Sequence, residues 1–329
     1  MRALVYTGPD RIELRDLPEP VAGEGEVIVE VAACGICGSD MHAYRGHDER
    51  RPSPLVLGHE AAGVIVSGAG TGSRVTVNPL VTCGNCHYCR SGRDNLCPQR
   101  QIISMPPRPG AFAERVAIPA RNCVPVPDCV SDETAALVEP VACGWHAVRT
   151  AERVLGRPVA GLDVMVIGGG AIGVGAALSV VAFGGRPTIV EPHAGRRSRL
   201  GALEDVAVAA SAPTDTVTLV IDAVGYEATR RLAFANAAPG GAIVHIGLGS
   251  ASGGVDARRA TLQEIAFIGT YTYTAADFRD TAAALFAGRL GTTAWHETRT
   301  LADGPAAFRD LADGTVDASK IILKLHQEG

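Results

Sequence analysis

Residues 164–185, VMVIGGGAIGVGAALSVVAFGG, run 22 positions without a charge and carry seven glycines. The length would suffice for a membrane span. The order of residues says otherwise: a short apolar run, a glycine cluster and an Ala-rich run are what a buried strand, a tight turn and a buried helix require. Downstream the same alternation repeats as PTIVE, RRSRLGAL, TLVIDAVG, TRRLAFANAA and AIVHIGL. Apolar strands alternating with helices imply a doubly wound parallel sheet with both faces covered, an α/β architecture.

The glycine cluster reads Gly168-x-Gly170-x-Ile172-Gly173. In such a turn the first glycine permits the bend, and the second lets a dinucleotide pyrophosphate approach the helix N-terminus. The third lets helix and strand pack closely. Glu191 closes the next strand, 18 residues beyond Gly173, where a carboxylate would bond an adenosine ribose and repel a 2′-phosphate. NAD is therefore favoured over NADP. Arg196 and Arg197 follow closely and weigh the other way if they meet a phosphate; a solvated helix face explains them equally.

The first 130 residues have a different texture. ALVY, IELRDL and VIVEV are separated by TGPD and PEPVAGEGE, a succession of short strands and turns. At Ser131 helical spacing takes over, with Ser131 as N-cap and Asp132 and Glu133 in the first turn. From Ala275 the tail carries two helices and a final strand near KIILKL. A length of 329 residues fits two domains.

Cys83, Cys86, Cys89 and Cys97 form C-x2-C-x2-C-x7-C within 15 residues. Four thiolates from a short Gly- and Asn-containing loop suit a structural zinc with no open coordination position. Spacing alone leaves an iron–sulfur cluster open. Disulfides are disfavoured in a reducing compartment, and the N-terminus MRALVYTGPDRIELRDL lacks a secretory pattern, so a cytoplasmic location is expected. Thirty basic against 35 acidic residues, net -5, give no electrostatic reason to bind nucleic acid or an anionic membrane.

Three further segments, CGICGSDMH at 34–42, LGHE at 57–60 and VEP at 138–140, are individually weak. Their order around the cysteine loop and the glycine motif resembles the zinc-dependent medium-chain dehydrogenase/reductase superfamily, the alcohol dehydrogenases, over nearly the whole chain. The resemblance implies a GroES-like β-rich catalytic domain of residues 1–141 and 275–329, with a Rossmann domain of residues 142–274 inserted. It makes Cys37 and His59 ligands of a catalytic zinc, and Cys83, Cys86, Cys89 and Cys97 ligands of a structural one, so two Zn2+ per chain. Glu139 falls where alcohol dehydrogenases carry a second cysteine ligand and where sorbitol, butanediol and threonine dehydrogenases carry an acidic residue. Glu60 is implied either as a direct ligand or as a carboxylate behind the metal. Asp40 matches a carboxylate that orients the ligand histidine.

A Cys/His/Glu zinc leaves a position for a substrate oxygen and acts there as a Lewis acid. Ser39 and His42 match the family's proton relay; a structural hydrogen bond is the alternative for each. The implied reaction is NAD-linked oxidation of a secondary alcohol, a polyol, sugar alcohol or related hydroxy compound. A threonine- or amino-sugar-type dehydrogenase of the same branch differs only in substrate. The expected partners are the small-molecule substrate and further copies of the chain, as a homodimer or homotetramer. Two rivals stand apart: a zinc-free quinone or enone reductase, and a non-catalytic nucleotide-binding sensor with structural zinc only. Ser73 stands where relatives carry aspartate in GDRV, and Gly63–Thr82 is shorter than the family norm. Tyr44, His47 and Asp48 follow the metal motif closely enough to reach a substrate, or form a solvated loop.

Overall fold

The computed structural model describes residues 1–291 and 295–325. It divides into two compact units: Met1–Glu139 with His296–Gly329, and Pro140–Trp295.

The first unit is β-rich. Its largest sheet follows the order Cys123–Pro125, Arg74–Val77, Glu60–Ser67, Glu26–Gly35, Lys320–Lys324, His296–Thr300, with Arg115–Pro119 also paired to Glu26–Gly35. Arg2–Gly8 pairs antiparallel with Arg11–Asp16 across the turn at Thr7–Asp10 and belongs to a separate small sheet. The sheets close over a core that includes Leu4, Ile118, Phe112 and Ile321, all fully buried. Phe308, from helix Gly304–Asp313, packs against Tyr44 and Phe112 with ring centroids 5.2 and 5.9 Å apart. The C-terminal segment thus completes the N-terminal core. Its last strand also sets a register that matters below: Ile322 pairs with Gly35, and Gly35 pairs with Glu60.

The second unit is a six-stranded parallel sheet. Numbered within it, the order is 3-2-1-4-5-6: Ala207–Ala209, Arg186–Val190, Asp163–Ile167, Val217–Asp222, Ala237–His245, Ala266–Gly269. This is the dinucleotide-binding order of a Rossmann sheet. Met165, Val220 and Ile243 are fully buried, as strands covered on both faces demand. Helix Ala171–Ala182 follows the glycine turn, and no helix among the described residues is long and apolar enough to cross a membrane.

Two boundaries differ from the sequence reading. Ser131 does cap a helix, its hydroxyl accepting from the Thr134 N–H, but that helix ends at Ala136 and a new one runs Val138–Leu155. Pro140 has no N–H to give the Ala136 carbonyl and its ring would clash there, so the helix breaks one turn before it. The chain was expected to leave the Rossmann unit at about Ala275, yet it does so only at Trp295. Helix Ala275–Phe286 stays because Asp277 at its N-terminus is bound by His146 and Arg149 of helix Val138–Leu155, at 2.7 and 2.9 Å.

Asp277 also accepts from the Thr274 hydroxyl and N–H. Burial pushes its carboxyl pKa up, but the bonds from His146 and Thr274 outweigh this and hold it at about 2, below the ordinary 3.8. A depressed carboxyl contributes stability that is present above the unfolded value and lost as pH falls through the folded one. Asp277→Asn is therefore expected to cost about 1–2 kcal/mol at neutral pH. Urea titrations should show that difference closing between about pH 4 and pH 2; a gap independent of pH would contradict the assignment.

Candidate metal and dinucleotide sites

Cys37, His59 and Glu60 converge although they come from two separate segments. Strand Glu26–Gly35 ends just before Cys37, which caps helix Gly38–Tyr44. His59 immediately precedes strand Glu60–Ser67, whose first residue lies opposite Gly35. A Cβ at position 35 would stand 2.0 Å from Glu60 Oε2, so only glycine leaves the carboxylate its place. The sulfur, imidazole and carboxylate donor atoms all lie within 4.8 Å of one another.

The electrostatics of this group call for a cation. Glu60 is fully buried. Its Oε1 accepts from Lys320 Nζ at 2.6 Å, while its Oε2 is buried without a hydrogen-bond partner among the described residues. Lys320 also donates to the Ile36 carbonyl at 2.8 Å. Burial depresses the lysine pKa, but Glu60, Cys37 and Glu139 outweigh it and raise the value above the ordinary one. Burial likewise opposes charging of His59, and Asp40 and Cys37 outweigh it, so the imidazole is pushed well up. Four acidic groups thus surround one lysine and one imidazole. An orphaned buried carboxylate oxygen costs free energy unless something positive meets it. A sulfur, a nitrogen and an oxygen donor at this spacing fit zinc.

Glu139 is buried in the first turn of helix Val138–Leu155. It is not in the group whose donor atoms all lie within 4.8 Å of one another, but its charge helps raise the pKa of Lys320, which is bound to Glu60. Asp40 is fully buried and accepts from the Cys37 and Gly58 N–H groups at 3.0 and 3.3 Å, with His59 Nδ1 at 3.5 Å. Ser39 and His42 share helix Gly38–Tyr44, and Ser39 Oγ lies 3.5 Å from Arg51 Nη2. Tyr44 is a core residue, its hydroxyl donating to the Asp10 carbonyl, and Asp48 is engaged by Arg50 and Arg51. Sequence reasoning missed Lys320, Arg51 and Ser104, the last of which lies 3.3 Å from His59 Nδ1 through its Oγ.

The second cysteine group is local. Helix His87–Arg90 brings Cys89 one turn beyond Cys86, and the short 3-10 turn Asp94–Leu96 delivers Cys97. Cys86 Sγ lies 3.5 Å from Cys89 Sγ, which lies 3.9 Å from Cys83 Sγ. Four sulfurs about 2.3 Å from a tetrahedral zinc would stand about 3.8 Å apart, so the loop is already at the zinc spacing. All four cysteines are free thiols.

The glycine turn has the shape its motif requires. Gly168 has φ +95°, and a Cβ on Gly173 would lie 1.8 Å from the Gly168 carbonyl oxygen. Gly170, which caps helix Ala171–Ala182, faces open space on the side its Cβ would fill. Free N–H groups at a helix start beside an open glycine form a cradle for a pyrophosphate. Ile172 lies half-buried in the first turn of that helix. Glu191 is buried at the turn, accepting from the Gly169 N–H at 2.9 Å and the His193 N–H at 2.8 Å. Arg196 Nη1 reaches the same carboxylate at 3.3 Å, and Arg197 binds the carbonyls of Glu191 and Pro192.

Known proteins resemble this chain in sequence and in fold. The Alcohol dehydrogenase GroES-like domain matches residues 23–128. The chain is 32% identical over 292 residues to the sorbitol dehydrogenase of Arabidopsis thaliana, covering 81% of this chain and 79% of that one. It is 38% identical over 199 residues to the sorbitol dehydrogenase of Bacillus subtilis (strain 168), a match over 58% of this chain that spans only 55% of the relative's length. The structure of acetophenone reductase from Geotrichum candidum NBRC 4597 in complex with NAD superimposes with a TM-score of 0.88 at 27% identity, over 98% of this chain and 97% of that one. With its GroES-like segment, its Rossmann sheet and a relative matched over most of its length, the chain belongs to the zinc-dependent medium-chain dehydrogenase/reductase superfamily, the alcohol dehydrogenase superfamily.

Proposed function

We propose that the chain is a zinc-dependent, NAD(H)-linked dehydrogenase that oxidises a secondary alcohol of the polyol or sugar-alcohol class to a ketone. The observation that carries this reading is the Cys37, His59 and Glu60 donor set, with an unpartnered Glu60 oxygen, in a chain that also holds a dinucleotide turn. The two sorbitol dehydrogenases among its relatives support the substrate class. When bound, zinc supplies Lewis-acid polarisation of the alcohol oxygen and NAD accepts the hydride.

The chain's own residues do the rest. Cys37 and His59, with a carboxylate from Glu60 or Glu139, would hold the catalytic ion, and the four-cysteine loop would hold the structural one. The Ser39 hydroxyl can accept the substrate proton and donate its own, and the His42 imidazole, with one ring nitrogen accepting and the other donating, can pass it on. Gly168, Gly170, Ile172 and Gly173 seat the pyrophosphate, Glu191 selects the ribose, and Arg196, the cofactor-site residue that would meet a phosphate, is held on the Glu191 carboxylate. Free cysteines throughout the described residues fit a cytoplasmic location. Strand Ala266–Gly269, at the sheet edge with Phe267 exposed, supports association into a homodimer or homotetramer.

The test is a panel of polyols, diols and β-hydroxy amino acids assayed by NADH absorbance with and without a chelator. Polyol-dependent reduction of NAD that the chelator abolishes is expected. Turnover indifferent to the chelator would select a zinc-free reductase, preference for the amino acids a threonine-type enzyme, and no reduction at all a nucleotide-binding sensor. Cofactor choice has its own check. Glu191→Gln removes a charge whose hydrogen bonds are worth about 1.5–3 kcal/mol, so the ratio of kcat/KM for NAD over NADP should fall by about tenfold or more. An unchanged ratio would remove Glu191 from cofactor selection.

A further inference from the structure

Ser104 is fully buried and holds a left-handed backbone, φ +75°, that serine rarely adopts. Glycine would take that conformation without strain, so the hydroxyl is kept against the local preference of the chain. Its Oγ lies 3.3 Å from His59 Nδ1. Asp40, the carboxylate expected to orient this imidazole, stands farther off at 3.5 Å and already accepts from the Cys37 and Gly58 N–H groups. Ser104 is itself held by Arg51, whose Nε donates to its carbonyl at 3.0 Å and whose Nη2 lies 3.5 Å from its Oγ. The guanidinium is buried, neutralised by Asp48 at 2.6 Å, and its planar fork fixes the spacing of what it binds. The same Nη2 lies 3.5 Å from Ser39 Oγ.

We propose that Ser104, clamped by Arg51, is a positioning residue for His59: it accepts the Nδ1 proton and so leaves the other ring nitrogen for the metal. This rests on the reading that Cys37 and His59 hold zinc. A ligand histidine needs its second nitrogen protonated and bound, and losing that outer partner typically weakens metal affinity 10- to 100-fold. Arg51 also couples His59 to Ser39 through one rigid group, tying the metal ligand to the proposed relay.

The experiment uses the zinc-loaded protein and its cobalt-substituted form. In Ser104→Gly the backbone strain is relieved and the hydroxyl is gone. The expected result is an unchanged or higher Tm, together with about tenfold weaker retention, in chelator competition, of the zinc that His59→Ala removes. The cobalt absorption bands of that site should shift as well. Ser104→Ala keeps the strained backbone and should lose zinc equally with a lower Tm. If both variants hold that zinc as tightly as the parent, Ser104 is only structural and the inference is overturned. If the parent itself binds one zinc per chain, and His59→Ala still binds one, the reading of the metal site fails and takes this inference with it.

Discussion

Replacing His59 with alanine is expected to lower kcat/KM for a secondary alcohol by about a thousandfold or more and to reduce bound zinc from two ions per chain to one. Lewis-acid stabilisation is worth several kcal/mol, and about 4 kcal/mol corresponds to three orders of magnitude in rate. His59 is buried just before strand Glu60–Ser67, with the polar groups of Cys37, Glu60, Asp40 and Ser104 beside its ring. The GroES-like fold should therefore survive, and circular dichroism should match the parent. Cys37→Ser should behave similarly. A variant that keeps most of its turnover, with zinc still at two per chain, would place the metal elsewhere.

The second large effect belongs to the four-cysteine loop. In Cys86→Ser, one zinc should be lost and the 83–97 segment should become the first site of proteolysis. Little else orders that loop: its helix is four residues long with no buried side chain, and of the four cysteines only Cys97 is fully buried. A metal that ties a loop of this length acts as a covalent bridge would, for which about 3 kcal/mol is the model value. Tm should fall by about 6–12 °C, read by calorimetry, while hydrogen exchange outside the loop changes little. Full zinc content with unaltered Tm would mean that the thiols hold no ion.

What the sequence revealed was what lies close along the chain. The glycine turn, the cysteine loop and the GHE tripeptide are each a few residues long, so spacing alone constrains their geometry. Lys320 was invisible because it meets Glu60 across 260 positions, through the register of the last strand on Gly35. Ser104 was invisible for a different reason: its left-handed backbone belongs by preference to glycine, and no local pattern marks a serine that holds it. Of the two carboxylates expected at the metal, Glu60 lies with Cys37 and His59, while Glu139, in the first turn of helix Val138–Leu155, is tied to the group through its charge on Lys320. The return point of the chain was placed about twenty residues early because helix Ala275–Phe286 looks like any Ala-rich helix; the Asp277 contacts that bind it to helix Val138–Leu155 are tertiary.

The most direct measurement is NADH formation from a polyol as zinc is withdrawn stepwise and then returned, with metal content followed in parallel. Activity should fall in proportion to the loss of the ion held by Cys37 and His59, while the loop ion remains, and should return on adding zinc alone. Undiminished turnover after that ion is gone would contradict the account.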